Sequence, residues 1–592
     1  MTASLATRLG RVQRSALDSA LLRALTSVRL GLEICAVSVR DRLFAEVSAR
    51  GIYDRLLSRS KAVRLASQPQ DFRPSRQDLG ADVLAGRLSF FGQTLDSGLG
   101  GDPWDMASPS QAFAAALHSF HFLPHLMATG EAGAEEALRL INAWQAEFQK
   151  VSPFVWDGEV LERRAYNLVC AAGALSRSAS ELENRRLCDL LARSARRLMQ
   201  LARDPSRRAD RLIVAAIIGA ALAPPIGRKI LKKALAQLEP ALAESRSGEG
   251  GLKSRSPEAA LERLYDLMTL DDALGQHGRA LSGATREAFD DLGAAVRFYR
   301  LSDKRLCTFQ GGGPSTVAGV TAALNLIPEP DPKGPPMESF GGFERLIGGS
   351  FEIMADAAPP GAGAFSTLAC AQPLALEILC RGDRLITNCG WSPGGRTPAA
   401  FRLTDAGSTL CIHPASVGRL LNGSAAATLG QRLIAAAPNV LVERHRHPEG
   451  ILLVMAHDGW ADSFGWIHER RVYLDLVRDE VRGEDRLTPA VKRARQRPLP
   501  FHLHFHLTPE TQVSMARDRR SFILRGKSNR GWRFRNDAPD VSIAPSTVFD
   551  AGVGRRSAQI LLGGTAPVGD DEVRLRWKLS AVELKPEGPA AP

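Results

Sequence analysis

The sequence predicts a two-part α and β protein, a helical domain followed by an antiparallel β-sandwich. Three observations predict it. From about residue 109 to 325, apolar residues recur at three- and four-residue steps through about seven consecutive segments. The stretch NLIPEPDPKGPPMESFGGF, residues 325–343, then interrupts this texture with five prolines and several glycines. Beyond it come short alternating apolar runs separated by turn residues, the spacing of an antiparallel sandwich. At 592 residues the chain is also too long for one hydrophobic core.

Residues 1–80 form a basic helical N-terminal segment, with thirteen Lys/Arg against six Asp/Glu in residues 1–75. Within it, SALLRALTSVRLGLEICAVSVRDRLF has a charge every few residues, so it reads as an amphipathic helix and not as a signal peptide or a membrane span. No signal peptide is visible, which places the protein in the cytoplasm by sequence. RLSFFGQTLD (87–96) reads as a short strand piece. Residues 81–325 carry the helices. SPSQAFAAALHSFHFLPHLMATG (108–130) opens with Ser108 as an N-cap before Pro109 and closes on Gly130 as a C-cap. Helical segments follow from EAGAEEALRLINAWQAEFQKV (131–151) to ATREAFDDLGAAVRFYRLS (284–302) with short connections. They suggest helical hairpins in a bundle, solenoid or toroid. No fixed-period repeat is visible. Residues 326–343 are the linker, 344–585 the sandwich and 586–592 a tail. In FHLHFHLTP (501–509), strict alternation points Phe501, Leu503, Phe505 and Leu507 to a core. His502, His504 and His506 then share the other face, as a metal pair in search of a further ligand or as a sandwich surface.

The net charge of +12 suits an anionic partner or an Arg-rich surface, and 6% aromatic content argues against a stacking platform for single-stranded nucleic acid. Eight scattered cysteines without C-x-x-C spacing indicate free thiols.

Several stretches, in order, resemble the heparinase II/III family of polysaccharide lyases in their alphaproteobacterial form. They are DPWDMASPSQAFAAALHSFHFL (102–123), VWDGEVLERRAYNLV (155–169), GEGGLKSRSPEAALERLYDLMTLDDAL (248–274), LALEILCRGDRLITNCG (374–390), HDGWADSFGWIHERRVYL (457–474) and GEDRL (483–487). The resemblance spans roughly residues 80–585 and implies an (α/α) toroid over residues 81–325. It also implies a cleft between toroid and sandwich and β-elimination on a uronate-containing polysaccharide. That reaction needs the uronate carboxylate neutralised, a base for the adjacent proton and an acid for the leaving oxygen.

Set against the family pattern, several functional positions have changed. Leu252 stands where His is usual, and Ala259 and Ala260 stand at a Tyr-His pair. Leu368, Cys370, Gln372 and Gly407 occupy the family's metal and acid/base positions, so no metal or other cofactor is expected. The remaining candidates for catalysis are Tyr166 as base, Arg163, Asn167 and Arg255 as carboxylate partners, and His118. Arg163 and Asn167, four apart, share a helix face; His118, His121 and His125 do so if their helix is unbroken. Trp104, Arg164, Lys253 and His468 are candidate substrate contacts. His468 and Arg470 share one strand face, and Glu469 and Arg471 the other, which is also the mark of a cross-strand charge pattern. The expected function is a lyase of an acidic polysaccharide with a degenerate His/metal site. The alternative is an inactive acidic-glycan-binding or scaffolding protein on the same fold. Nucleic acid is not an expected partner, no transmembrane segment is expected, oligomeric state is open, and the resemblance offers the cell envelope or periplasm as the alternative location.

Overall fold

The structure, a computed structural model, describes residues 5–582 except 13–15, 50–61, 63, 157, 329–336, 393–397, 436–438, 491–497, 551 and 568–571. Part of the expected linker (329–336), the tail and part of the basic segment therefore lie outside the described residues. The N-terminal segment is helical where described, as Leu5–Val12 and Ala16–Ala49. RLSFFGQTLD is a hairpin, Arg87–Phe90 paired with Gln93–Asp96, and it turns at Phe91 and Gly92, both at positive φ.

The helical region packs around Arg208–Ala221, whose apolar sequence RLIVAAIIGAA is buried on every side. Small residues allow this crowding. A Cβ at Gly219 would stand 2.5 Å from the backbone nitrogen of Leu231 on the neighbouring helix Ile226–Ser245. Helices Gly158–Ser178, Glu181–Leu201 and Pro257–Gly275 complete the surroundings.

One expected helix is two. Gln111–His118 is capped by Ser110, whose hydroxyl accepts from the Phe113 N–H at 3.2 Å, so the cap falls two residues after Ser108. Phe120 then adopts a left-handed backbone, and a second short helix, Leu123–Met127, starts with Pro124 in its first turn. His118, His121 and His125 consequently do not share one helix face.

The sandwich is built from two antiparallel sheets. One has eight strands, in the order Val440–His447, Gly450–His457, Trp466–Asp475, Glu480–Pro489, Val573–Val582, Gly531–Asn536, Ser521–Arg525, Gln512–Met515. The other runs Asp540–Asp550, Val553–Ala566, Leu499–Leu507, Asp383–Thr387, Leu376–Cys380, Phe351–Asp356, Phe343–Gly348, Ser339–Phe340, with Leu410–Cys411 paired to Leu499–Leu507. Phe501, Leu503, Phe505 and Leu507 face the core between the sheets, as their alternation requires. The opposite face of this strand is not an open surface. His506 is buried, with its ring nitrogens 2.8 Å from Ser546 Oγ and 2.9 Å from the Asp405 carbonyl, and His504 bonds Gln559 at 3.0 Å. The segment around residue 405 covers this end of the strand and withdraws it from solvent.

The two parts share apolar packing. Phe340, Phe343, Met354 and Leu379 of the sandwich belong to the same core cluster as Phe298 and Leu306 of the helical region. Helix Leu5–Val12 docks on the eight-stranded sheet through Leu5, Ala6 and Leu9. Helix Ala16–Ala49 passes on to the junction of the two parts, where Glu33 meets Arg432 at 2.9 Å.

Candidate functional site

A cleft of about 1870 Å³ opens between the helical region and the sandwich. The helical wall includes His121, Arg163 and Asn167, with Glu258, Glu262 and Asp266 one turn apart along Pro257–Gly275. Phe365, Leu368, Trp391 and Arg402 line the sandwich side, and Glu33, Val37, Arg40 and Leu43 bring helix Ala16–Ala49 to the mouth.

The charges of this cleft are organised in two clusters. In the first, Arg73 reaches Asp266 at 2.7 Å, Glu262 at 2.9 Å and Asp71 at 3.3 Å, and Arg163 reaches Glu262 at 3.2 Å. The Arg73 guanidinium also lies over the rings of Tyr166 and Tyr265, at 4.7 and 4.9 Å. Burial works against the Glu262 charge, but Arg73 and Arg163 outweigh it and hold the carboxyl below its ordinary value. In the second cluster, Arg207 meets Glu162 at 2.5 Å and Arg263 meets Asp210 at 2.6 Å. Burial pushes Glu162 up to about 7 in spite of Arg207. Glu258 belongs to neither cluster, and burial, reinforced by Glu262, pushes it up to about 7.

The sequence candidates divide between cleft and core. Arg163 and Asn167 both line the cleft, although the Asn167 amide is committed to the carbonyls of Ser119 and Phe120 at 2.9 and 3.2 Å. Tyr166, one residue from Asn167, points into the protein interior. Its hydroxyl lies 3.0 Å from Asp71 Oδ1 and 2.8 Å from Thr269 Oγ1, and burial raises it well above the ordinary phenol value. A helix cannot turn residues 163, 166 and 167 to the same degree toward one opening, and Tyr166 is the one on the inner side.

Arg255 is not in the cleft. Its guanidinium donates to the carbonyls of Gly341, Gly342, Ala358 and Pro359 and to Asp356, which fastens the helical region to the sandwich. His118 packs among Trp104, Phe148 and Phe154 and accepts from the Trp144 indole at 3.1 Å. Trp104 is buried, donating to the Leu140 carbonyl at 3.0 Å. Arg164 is enclosed between Trp144 and Trp156 and donates to the Val155 carbonyl at 2.7 Å. His468 is wholly enclosed in the sandwich beside His457 and Asp485. These positions correct the reading of Tyr166, Arg255, His118, Trp104, Arg164 and His468 as cleft groups. Lys253 is exposed, with its ammonium 5.5 Å from the centre of the Phe365 ring that borders the cleft.

Leu368 lines the cleft, while Cys370, Gln372 and Gly407 form the structure behind it. The Cys370 N–H donates to Gln310, and the Gln372 amide donates to the carbonyls of Phe401 and Leu403. A Cβ at Gly407 would stand 2.9 Å from the Gln372 side chain, so a larger residue does not fit there as packed. Among the described residues, no group of three or more His, Cys, Asp or Glu is placed to hold a metal ion.

Sequence reasoning missed Arg73, Glu258, Glu262 and Asp266. The four-residue spacing of the three acids on one helix was a usable signal. Arg73, in an irregular polar stretch, gave none.

The buried histidines predict an acid response. Burial lowers His121 to about 4 and His506 to about 3, below the 6.5 of an exposed imidazole. The unfolded chain therefore binds protons that the folded one refuses as pH falls below 6.5. Stability is fully present above that value and drops by up to about 1.4 kcal/mol per pH unit for each such histidine. Glu162 and Glu258, raised to about 7, act in the opposite sense over this range, but His118, His457, His468 and His504 are lowered by burial as well and outnumber them. Thermal unfolding at pH 5 is therefore expected at a lower temperature than at pH 7.5, and an equal or higher midpoint at pH 5 would contradict this.

Comparison with known proteins adds kinship to this geometry. Residues 331–578 match the family described as Heparinase II/III-like, C-terminal. FtsZ-localized protein C of Caulobacter vibrioides is 44% identical over 526 residues, which cover 88% of this chain and 90% of that protein. The crystal structure of heparinase III superposes with a TM-score of 0.66 at 13% identity, covering 91% of both chains. Heparan sulfate lyase HepC from Pedobacter heparinus superposes with a TM-score of 0.52 at 13% identity, over 92% of this chain and 91% of that one. At such identities the two structures establish a shared fold.

Proposed function

Because this chain belongs to the heparinase II/III-like family, we propose that its cleft binds an acidic polysaccharide. The observation that carries this reading is the exchangeable partner of two arginines. Arg73 and Arg163 both rest on Glu262, whose own side chain is 44% exposed to the cleft. A sugar carboxylate is chemically equivalent to the Glu262 carboxylate and can take its place on the two guanidinium groups, with the same paired hydrogen bonds. The long cleft accommodates neighbouring sugar units, and the remaining ion pairs keep its walls charged but fixed.

Retention of the full chain on immobilised heparan sulfate and on alginate tests the reading. Wild-type protein is expected to be retained at low salt and released as salt screens the contact. Arg163→Ala removes one of two charge-assisted pairs, about 1.5 kcal/mol or more, so the affinity is expected to fall about tenfold. Flow-through of the wild type on both supports, or equal retention of Arg163→Ala, would refute the proposal.

The likeness to an FtsZ-localized protein supports a place for this chain, too, at FtsZ. No helix among the described residues is long and apolar enough to cross a membrane. A fluorescent fusion of the full chain is expected to coincide with FtsZ, and a uniform distribution would count against that placement.

A further inference from the structure

Glu258 differs from most of the carboxylates that line the cleft. Glu33, Asp71, Glu162, Asp210, Glu262 and Asp266 each have an arginine nitrogen at 2.5 to 3.3 Å. No arginine or lysine is among the principal groups acting on Glu258. The neighbours that act on it are Glu262 on its own helix, Ser392, the Gly313 N–H and Asp550 of strand Asp540–Asp550, itself paired with Arg305 at 2.7 Å. Its surroundings are built closely. Ser256 caps the helix, accepting from the Ala259 N–H at 3.2 Å and donating to the Gly311 carbonyl at 2.5 Å. The glycine run 311–313 then lies so close that a Cβ at Gly312 would stand 2.8 Å from the Glu258 Cβ. The carboxyl therefore lines the cleft from a fixed backbone, held by Ser392 and the Gly313 N–H, and is ion-paired with no cation among the described residues.

Its location relative to the arginines gives it a use. Glu262, which shares Arg73 and Arg163, is one helical turn away, about 5–6 Å between Cβ atoms. A uronate carboxylate that replaced Glu262 on those arginines would bring its adjacent carbon, C5, to the level of Glu258. We propose that Glu258 is the catalytic proton carrier of this cleft, serving as base and then as acid in a β-elimination on the bound uronate. This rests on the acidic-polysaccharide reading above.

The step balances within one residue. The ionised Glu258 carboxylate takes the proton from C5, whose acidity rises when Arg73 and Arg163 neutralise the neighbouring carboxylate. The electron pair of the broken C–H bond forms the C4–C5 double bond as the C4–O bond breaks. The departing oxygen takes the proton from the Glu258 carboxyl, which returns to its ionised state. No oxidant or other reactant enters. A carboxyl pushed up to about 7 is matched to both halves of this transfer near neutral pH.

The experiment follows the near-ultraviolet absorbance of unsaturated uronate products when the full chain is incubated with heparan sulfate, alginate and hyaluronan. Wild type is expected to generate absorbance on at least one, with kcat/KM rising as pH increases through about 7. Glu258→Gln is expected to lose at least about 100-fold in kcat with KM little changed, because a neutral amide cannot move the proton. Glu258→Asp keeps a carboxyl, and is expected to retain measurable turnover with a displaced pH limb. Thermal unfolding and glycan retention of each variant, matched to wild type, exclude a folding defect. Absorbance that survives in Glu258→Gln overturns the proposal. Retention of wild type without absorbance on any of the three overturns it while leaving binding intact, and failure of retention overturns both readings.

Discussion

Asp485→Ala is expected to destabilise the sandwich by about 3–5 kcal/mol, the scale for removing one partner of a buried ion pair. Asp485 lies directly across from Arg470 on adjacent strands, and neither side chain reaches solvent. Oδ1 accepts from Arg470 Nε at 2.6 Å and from His468 at 2.8 Å, and Oδ2 accepts from the Trp577 indole at 3.0 Å. The network continues inward. His457 Nδ1 accepts from the Gly459 N–H at 3.0 Å, so its Nε2 carries the proton donated across 3.2 Å to His468 Nδ1. His468 then has its own proton on Nε2, facing Asp485, and both rings are neutral. Without Asp485, the Arg470 charge keeps only the carbonyls of Leu374 and Ser408. Burial opposes ionisation of Asp485, yet Arg470 and His468 bring its carboxyl down to about 2. Its stabilisation is therefore present above the ordinary aspartate value of about 3.9 and disappears as pH falls toward 2. Denaturant unfolding at pH 7 measures the loss. Glu510→Ala, which breaks the exposed Arg555 pair, serves as the control, with a change of about 1 kcal/mol or less. Equal losses in the two variants would refute the account.

Arg255→Lys is expected to cost about 2–4 kcal/mol, although the charge is retained. The guanidinium satisfies four backbone carbonyls and Asp356 at once from within the junction, and its Cζ lies 4.5 Å from the centre of the Phe343 ring. An ammonium has three donors and no planar fork, so at least two buried acceptors lose their partners. Lysine keeps the backbone cost of the positive φ at this position the same, which isolates the effect of the donors. Glycan retention by the folded variant is expected to remain at the wild-type level, because this side chain lies outside the cleft. A stability change below about 1 kcal/mol would refute the clamp, and a selective loss of retention would show that Arg255 faces ligand after all.

Residues with similar sequence signals came to different ends. Arg163, Tyr166 and Asn167 occupy one helix within a single turn and a half, and the cleft opens on only part of its circumference. The alternation of FHLHFHL determined the inward side of its strand, since a side-chain period of two leaves no choice. It contained nothing about the chain that covers the other side, and so His506 became a core residue. Likewise, the identical facing of His468 and Arg470 was correct, but whether that face was solvent or core depended on Asp485, seventeen and fifteen residues downstream.

By itself, the sequence determined the order of helical region and sandwich and the inward side of strand Leu499–Leu507. These are local properties, set by period, turn chemistry and residue type. Tertiary structure alone decided which charges meet. Arg73 reaches Glu262 across 189 positions of chain, and Arg255 reaches Asp356 across 101. An arginine's role depends on the acceptors that surround it, and those are brought together only when distant segments pack, so one guanidinium became a structural clamp and another part of a cleft wall.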